Sequence, residues 1–267
     1  MGMKLEKFAE VIAQLRDPQT GCPWDLEQNY QTMPPHILEE AYEVVEAINQ
    51  DDRQELKEEL GDLLMQVVFL SQLATEEGAF TLDDVIQGIT DKIIRRHPHV
   101  FGEVHANTSE EVLKNWENIK QQERHDKQQF SILDNVPSAL PSLLRAAKLQ
   151  KRCAKVGFDW SETELTLQKV EEELQEVREE LQKTQQNQSA IEEEIGDLLF
   201  AAVNVARHLH VNPEEALRKA NLKFERRFRQ VEQTIVLSGR DLEEVSLTEM
   251  DLLWDQVKQQ EKQKQGE

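Results

Sequence analysis

Residues 192–206 read EEEIGDLLFAAVNVA, and far upstream residues 57–70 read KEELGDLLMQVVFL. In both, a Glu and an Asp three residues apart (Glu194 and Asp197, Glu59 and Asp62) stand at the head of a run that is apolar at nearly every position. Three residues is close to one helical turn, so each pair shares a helix face. A helix this apolar is expected to be buried, and buried carboxylates are costly unless something pairs with them.

The likeness of these two stretches is part of a longer repetition. LEEAYEV returns as VEEELQEV, EELGDLLMQVV as EEIGDLLFAAV, DKIIRRHP as LKFERRFR, and NWENIKQQER as LWDQVKQQEK, always in that order. The offset is 133 residues at the first block (Glu40 to Glu173) and 138 at the last (Trp116 to Trp254). Self-similarity of this kind marks a duplicated structural unit. Helical periodicity runs through most of the chain, as at Ile37, Ala41, Val44, Val45 and Ile48, and Asn212-Pro213 is a helix start. The expected fold is all-α, a tandem repeat of two helical bundles at residues 1–130 and 143–267, joined by a linker at 131–142.

The net charge of −21 argues against binding duplex nucleic acid through its backbone, which needs a basic face. Two cysteines give no disulfide framework. The N-terminal MGMKLEKFAEVIAQLRD lacks the apolar centre of a signal peptide, and no stretch reaches transmembrane length. These features predict a cytoplasmic protein without a membrane partner.

Glu40 and Glu43 precede the pair Glu59 and Asp62, as Glu173 and Glu176 precede Glu194 and Asp197. Two antiparallel helices joined by a short turn would bring four carboxylates together across one interface. Without a cation such groups repel, and some stay protonated. With Mg²⁺, or Mn²⁺ in its place, they make a hard oxygen site that leaves coordination positions for water and phosphate. Gly61 and Gly196, each before the Asp, suggest a close approach there, because glycine within a helix costs about 1 kcal/mol against alanine. A di-iron bundle would want Glu-x-x-His pairs, and neither pair contains His. Local cations are also repeated: Lys223, Arg226 and Arg227 answer Lys92, Arg95 and Arg96, and Trp254 with Lys258 answers Trp116 with Lys120. Lysine and arginine reach phosphate, and a tryptophan face stacks on a base or packs a sugar, although either tryptophan equally suits a core anchor.

The pattern Glu-Glu-x-x-Glu, a spacer, then Glu-x-x-Asp resembles the MazG-type all-α nucleoside triphosphate pyrophosphohydrolases. It stands here as EEAYE with ELGD and as EELQE with EIGD. The block order, with GCPWD, RRHPHVF, KRCAKVGFDW and KFERRFR, is similar to the two-domain bacterial members over nearly the whole chain. The resemblance implies a homodimer that hydrolyses nucleoside triphosphates to monophosphate and pyrophosphate with Mg²⁺. It implies metal ligands at Glu173, Glu176, Glu194 and Asp197, with a second set at Glu40, Glu43, Glu59 and Asp62. It further implies nucleotide contacts at Lys169, Glu172, Glu193, Lys223, Arg226, Arg227, Trp254 and Lys258. Of these, Glu172 or Glu193 would orient or deprotonate the attacking water, and Lys223 and Arg227 would stabilise charge on the phosphoryl oxygens. His36 stands where the second unit has Lys169, and Pro98 interrupts the first-unit helix whose counterpart in the second unit continues past Arg227. The second unit is therefore expected to carry the chemistry. The rival readings are a pyrophosphatase restricted to one or a few non-canonical nucleotides and a non-catalytic metal-binding helical module.

Overall fold

The computed structural model describes residues 2–126 and 130–265, and every regular element among them is helical. The chain divides into two compact units, residues 1–123 and 124–267. The first contains α1 (Gly2–Leu15), α2 (Pro23–Glu27), α3 (Met33–Asn49), α4 (Arg53–Glu76), α5 (Leu82–Arg96), α6 (Pro98–Phe101) and most of α7 (Ser109–Asp126). The second contains α8 (Ser142–Ala154), α9 (Thr163–Gln182), α10 (Gln188–His208), α11 (Pro213–Leu237) and α12 (Leu247–Gln265), with a single 3₁₀ turn at Leu242–Glu244. Residues 127–129, the tail of the expected first domain, lie outside the described residues. Within the expected linker, the Ile132 carbonyl accepts from Arg152 of α8 at 2.9 Å, and the Asp134 carbonyl accepts from the same guanidinium. No helix among the described residues is long and apolar enough to cross a membrane.

Local chemistry sets the helix ends. The Asp52 carboxylate accepts from the Gln54 and Glu55 amides at 2.9 and 3.0 Å and starts α4. Asn187 caps α10 through the Ser189 amide at 3.1 Å. Asn212 caps α11 through Glu215, with Pro213 in the first turn, as the sequence predicts. Gly78 after α4 (φ 70°) and Gly239 after α11 (φ 79°) take the left-handed conformation that stops a helix. Pro98 acts as expected: α5 ends at Arg96, whereas α11 continues beyond Arg227 to Leu237.

In the first unit Ile12, Met33, Val68, Phe69 and Leu73 form the core where α1, α3 and α4 meet. Arg16, at the end of α1, grips Glu76 of α4 with two nitrogens at 2.8 and 2.6 Å and donates to the carbonyls of Asp25 and Gln28. In the second unit a separate cluster of Val231, Ile235, Val245 and Val257 joins α11 to α12. Each unit ties its last long helix back with the same latch. Arg95 and Arg96 of α5 both hold Glu123 of α7, and Arg226 and Arg227 of α11 both hold Glu261 of α12.

Two expectations need correcting. The apolar runs are buried on one face only: Val68, Phe69, Ala201 and Val203 are buried, whereas Leu60, Leu64, Val67, Ile195, Leu199 and Phe200 are exposed. Helices α3 and α1 flank α4, and α9 and α8 flank α10, which leaves one side of each uncovered in the single chain. Nor is there a close approach at the paired glycines, since a Cβ on Gly61 or Gly196 would meet nothing within 4 Å.

The core and the latch make separate predictions. Ile235 is fully buried, and Ile235→Ala should lower the unfolding free energy of the second unit by about 2–5 kcal/mol in denaturant titration. The hydrogen bond from Arg96, helped by Arg95, holds the Glu123 carboxyl at about 2 against the ordinary 4.5, with burial opposing. The stability from this latch is fully present above pH ~4.5 and is lost as pH falls towards 2. Melting temperature measured across that window should fall more steeply in wild type than in Glu123→Gln, where the latch is already weakened.

Candidate functional site

Helices α9 and α10 pack along each other, and α9 presents Glu173 to Glu194 and Asp197 of α10. One oxygen from each of these three carboxylates lies within 4.8 Å of the others, a spacing that a single cation can bridge. Glu173 is only 5 % exposed. One of its oxygens meets the Lys169 ammonium at 2.6 Å, while the other is buried and has no hydrogen-bond partner. Lys169 also pairs with Glu172 at 2.9 Å, and these two contacts, Glu172 first, raise the lysine above its ordinary pKa and keep it charged.

Glu176 stands beside this trio. Burial, then the charges of Glu173 and Glu194, raise its carboxyl above the usual range, as does a hydrogen bond shared with Glu194. A carboxyl raised by burial and by neighbouring carboxylates is what crowding of like charges produces.

The first unit repeats the arrangement with Glu40, Glu43 and Glu59. Asp62 belongs to the same neighbourhood, since its charge raises both Glu40 and Glu59. Burial first, then Glu43, Glu55 and Asp62, push Glu59 up to about 7. Buried Gln66 donates to Glu40 at 3.2 Å, an amide donor that Ala201 does not supply at the matching position of the second unit. His36, where the second unit has Lys169, instead packs edge-on against Trp24 at 5.7 Å between ring centres. Each trio therefore contains three of the four carboxylates expected, and the fourth, Glu176 or Asp62, lies in electrostatic contact.

The donors in both units are oxygen only, and the second unit has a buried carboxylate oxygen with no partner. Both properties suit Mg²⁺ or Mn²⁺. Among the described residues these are the two clusters of His, Cys, Asp and Glu compatible with a metal ion.

The remaining expected contacts fall into a different group. Arg226 and Arg227 engage Glu261, the Arg227 guanidinium lies 5.8 Å from the centre of the Trp254 ring, and Phe224 packs against Trp254 at 5.2 Å. Lys258 turns to Asp255 at 2.6 Å. Trp254 also packs on the cluster that joins α11 to α12, so it is a core anchor within the chain. Lys223, Glu172 and Glu193 are exposed. Among the described residues no hydrogen bond or ion pair joins this α11–α12 group to the carboxylates.

A cavity of about 460 Å³ opens beside the second carboxylate cluster, with Lys169, Glu173 and Asp197 in its wall. Phe158 and Trp160, from the loop between α8 and α9, also line it. That loop is anchored by Asp159, which takes two contacts from Arg207 and one from His208 at 2.9 Å. The arginine, then the histidine, lower the Asp159 carboxyl below its ordinary range. Sequence reasoning assigned no role to this cavity. The one signal was the block KRCAKVGFDW, in which two aromatics flank an acid after a glycine.

Residues 28–101 and 161–232 each match the MazG nucleotide pyrophosphohydrolase domain, and both matches contain a complete carboxylate set. The chain is 51 % identical over 258 residues to the nucleoside triphosphate pyrophosphohydrolase of Escherichia coli (strain K12), covering 97 % of this chain and 98 % of that one. It is 42 % identical over 257 residues to the Thermotoga maritima nucleoside triphosphate pyrophosphohydrolase/pyrophosphatase MazG, covering 96 % of each. It is also 46 % identical over 255 residues to the uncharacterized protein YabN of Bacillus subtilis, of which it spans 52 %.

The raised Glu59 fixes the sign of a pH effect. Below pH 7 a cation entering the first cluster must displace its proton, so affinity should rise with pH by up to roughly tenfold per unit and level off above 7. Calorimetric Mn²⁺ titration of a Glu173→Gln/Glu194→Gln variant, in buffers of different ionisation heat, should show proton release at pH 6 that Glu59→Gln abolishes.

Proposed function

The chain belongs to the MazG nucleotide pyrophosphohydrolase family, and on that premise we propose that its second unit hydrolyses nucleoside triphosphates to monophosphate and pyrophosphate. The observation that carries this reading is the convergence of Glu173, Glu194 and Asp197, with one Glu173 oxygen buried and unpartnered beside Lys169. Glu173, Glu176, Glu194 and Asp197 hold the divalent cation, Mg²⁺ or Mn²⁺. When bound, that ion supplies Lewis-acid polarisation of water and phosphate oxygens.

The chain's own residues do the rest. Glu172 or Glu193, exposed next to the cluster, orients the attacking water and takes its proton. Lys169 keeps Glu172 in place through their ion pair. Lys223, Arg226 and Arg227 meet the negative charge that grows on the phosphoryl oxygens. Glu261 fixes the planes of the two guanidiniums. Trp254 and Lys258 contact the nucleotide, and base preference is broad. Residues 143–267 form the catalytic domain, and residues 1–130 assist assembly or bind weakly. Support for the weaker role is the loss of the Lys169 ammonium at His36 and the helix stop at Pro98.

The protein acts in the cytoplasm as a homodimer and does not bind duplex nucleic acid, which its charge of −21 disfavours. The exposed apolar side chains Leu174, Leu181, Ile195 and Leu199, on the helices that carry the carboxylates, support pairing between chains. Such pairing gives the α11–α12 cations a route to the cluster that the single chain does not display.

Incubation with a panel of NTPs and dNTPs, with product resolution, tests this. Monophosphate and pyrophosphate should appear only with divalent metal, and Glu194→Gln should reduce turnover by about 100-fold or more. Turnover that survives in Glu194→Gln would move the chemistry to Glu59 and Asp62.

A further inference from the structure

One stretch of the second unit runs against the charge of the rest of the chain. Residues 135–158 contain no Asp or Glu, in a chain that has 52 of them, and include Arg145, Lys148, Lys151, Arg152 and Lys155. All but Lys155 lie on α8, and every other helix of more than four residues among those described contains at least one acid. Packing does not require this excess. Helix α1 packs on α4 as α8 packs on α10, yet α1 balances Lys4 and Lys7 with Glu6 and Glu10. Lys148 and Lys151 are exposed, and neither forms an ion pair or hydrogen bond among the described residues. Arg152 is held by the Ile132 and Asp134 carbonyls rather than by a carboxylate, and the Arg145 Nε is buried without a partner.

We propose that the solvent-facing side of α8 docks an acidic helical segment of a partner protein, with Lys148 and Lys151 at the centre of the contact and Arg145 and Arg152 at its flanks. Residues three or four apart share a helix face, so carboxylates at the same spacing on a partner helix meet these cations in register. From Arg145 to Arg152 is about 10 Å along the helix axis, close to one Debye length at physiological salt. A short anionic segment fits within that length. A nucleic-acid strand would extend beyond it, over a chain whose net charge is −21. A bilayer suits the face no better, because Leu143, Leu144, Ala146, Ala147 and Leu149 are half-buried within the unit and are not free to insert. This surface lies outside the proposed hydrolysis and does not depend on it.

Fluorescence anisotropy with the full chain measures the contact directly. The probe is a labelled alanine-based peptide of about 15 residues with glutamate at every third or fourth position, long enough to form a helix on docking. Wild type is compared with Lys148→Glu/Lys151→Glu and with Lys4→Glu/Lys7→Glu, which changes the net charge equally on the counterpart helix α1, after melting curves confirm that all three fold. At about 50 mM salt the α8 variant should bind the peptide about 10-fold more weakly than wild type, and the α1 variant should match wild type. Wild-type affinity should fall steeply towards about 300 mM salt. Equal weakening in both variants would be a response to net charge alone and would overturn the proposal. So would an α8 variant that binds like wild type, or no peptide binding by wild type. Oligothymidylate or phosphatidylserine vesicles held more tightly than the peptide, and released by the α8 substitutions, would assign the face to a nucleic acid or a membrane instead.

Discussion

Like charges held close together on two packed helices are the constraint from which the rest of this structure follows. Two carboxylates about 5 Å apart in partly dry surroundings repel by a few kcal/mol, and α9 with α10 brings together three, with Glu176 beside them. The repulsion shows in three features. Lys169 neutralises one side of Glu173, the Glu176 and Glu59 carboxyls are pushed above their ordinary range, and one Glu173 oxygen is left facing no partner. None of these removes the reason for the cluster. A divalent ion answers all of them at once, and the helix caps at Asn187 and Asp52 exist upstream of it to set where each carboxylate falls along its helix.

Duplication lets the two units be compared as variants of one design. Both keep the carboxylate trio and the double-arginine latch on the final helix. They diverge around the trio. The first unit replaces Lys169 with His36, which turns to Trp24, and supplies Gln66 as a donor to Glu40. It thereby meets Glu40 with the Gln66 amide where the second unit meets Glu173 with the Lys169 ammonium. Pro98 then ends α5 at Arg96, the second latch arginine itself, whereas α11 continues for ten residues past Arg227. The divergence removes positive charge and reach from the first unit while sparing its carboxylate cluster.

The all-α duplication and the carboxylate trios were legible in the sequence because they are local: Glu-x-x-Asp and Glu-x-x-Glu declare a shared helix face without knowledge of the fold. Pro98 and Asn212-Pro213 were legible for the same reason. What the sequence concealed is tertiary. Hydropathy marks Leu199 and Phe200 as apolar but does not say whether their cover comes from the same chain. The glycines at 61 and 196 suggested a close approach that the single chain does not contain. The cavity depends on Gln150 meeting the carbonyl of Phe200, fifty positions away. Glu261 was in plain view in the repeated last block, but its role emerges only when Arg226 and Arg227 are seen to converge on it.

The central claim, that the paired carboxylates exist to hold a divalent cation, is tested most directly by X-ray diffraction from crystals soaked in Mn²⁺, with anomalous maps. The account predicts manganese peaks bound by Glu173, Glu194 and Asp197 at about 2.0–2.3 Å from their oxygens, with a second set at Glu40, Glu43 and Glu59. Absence of manganese from both clusters at millimolar metal, with Lys169 still bridging Glu172 and Glu173, would contradict it.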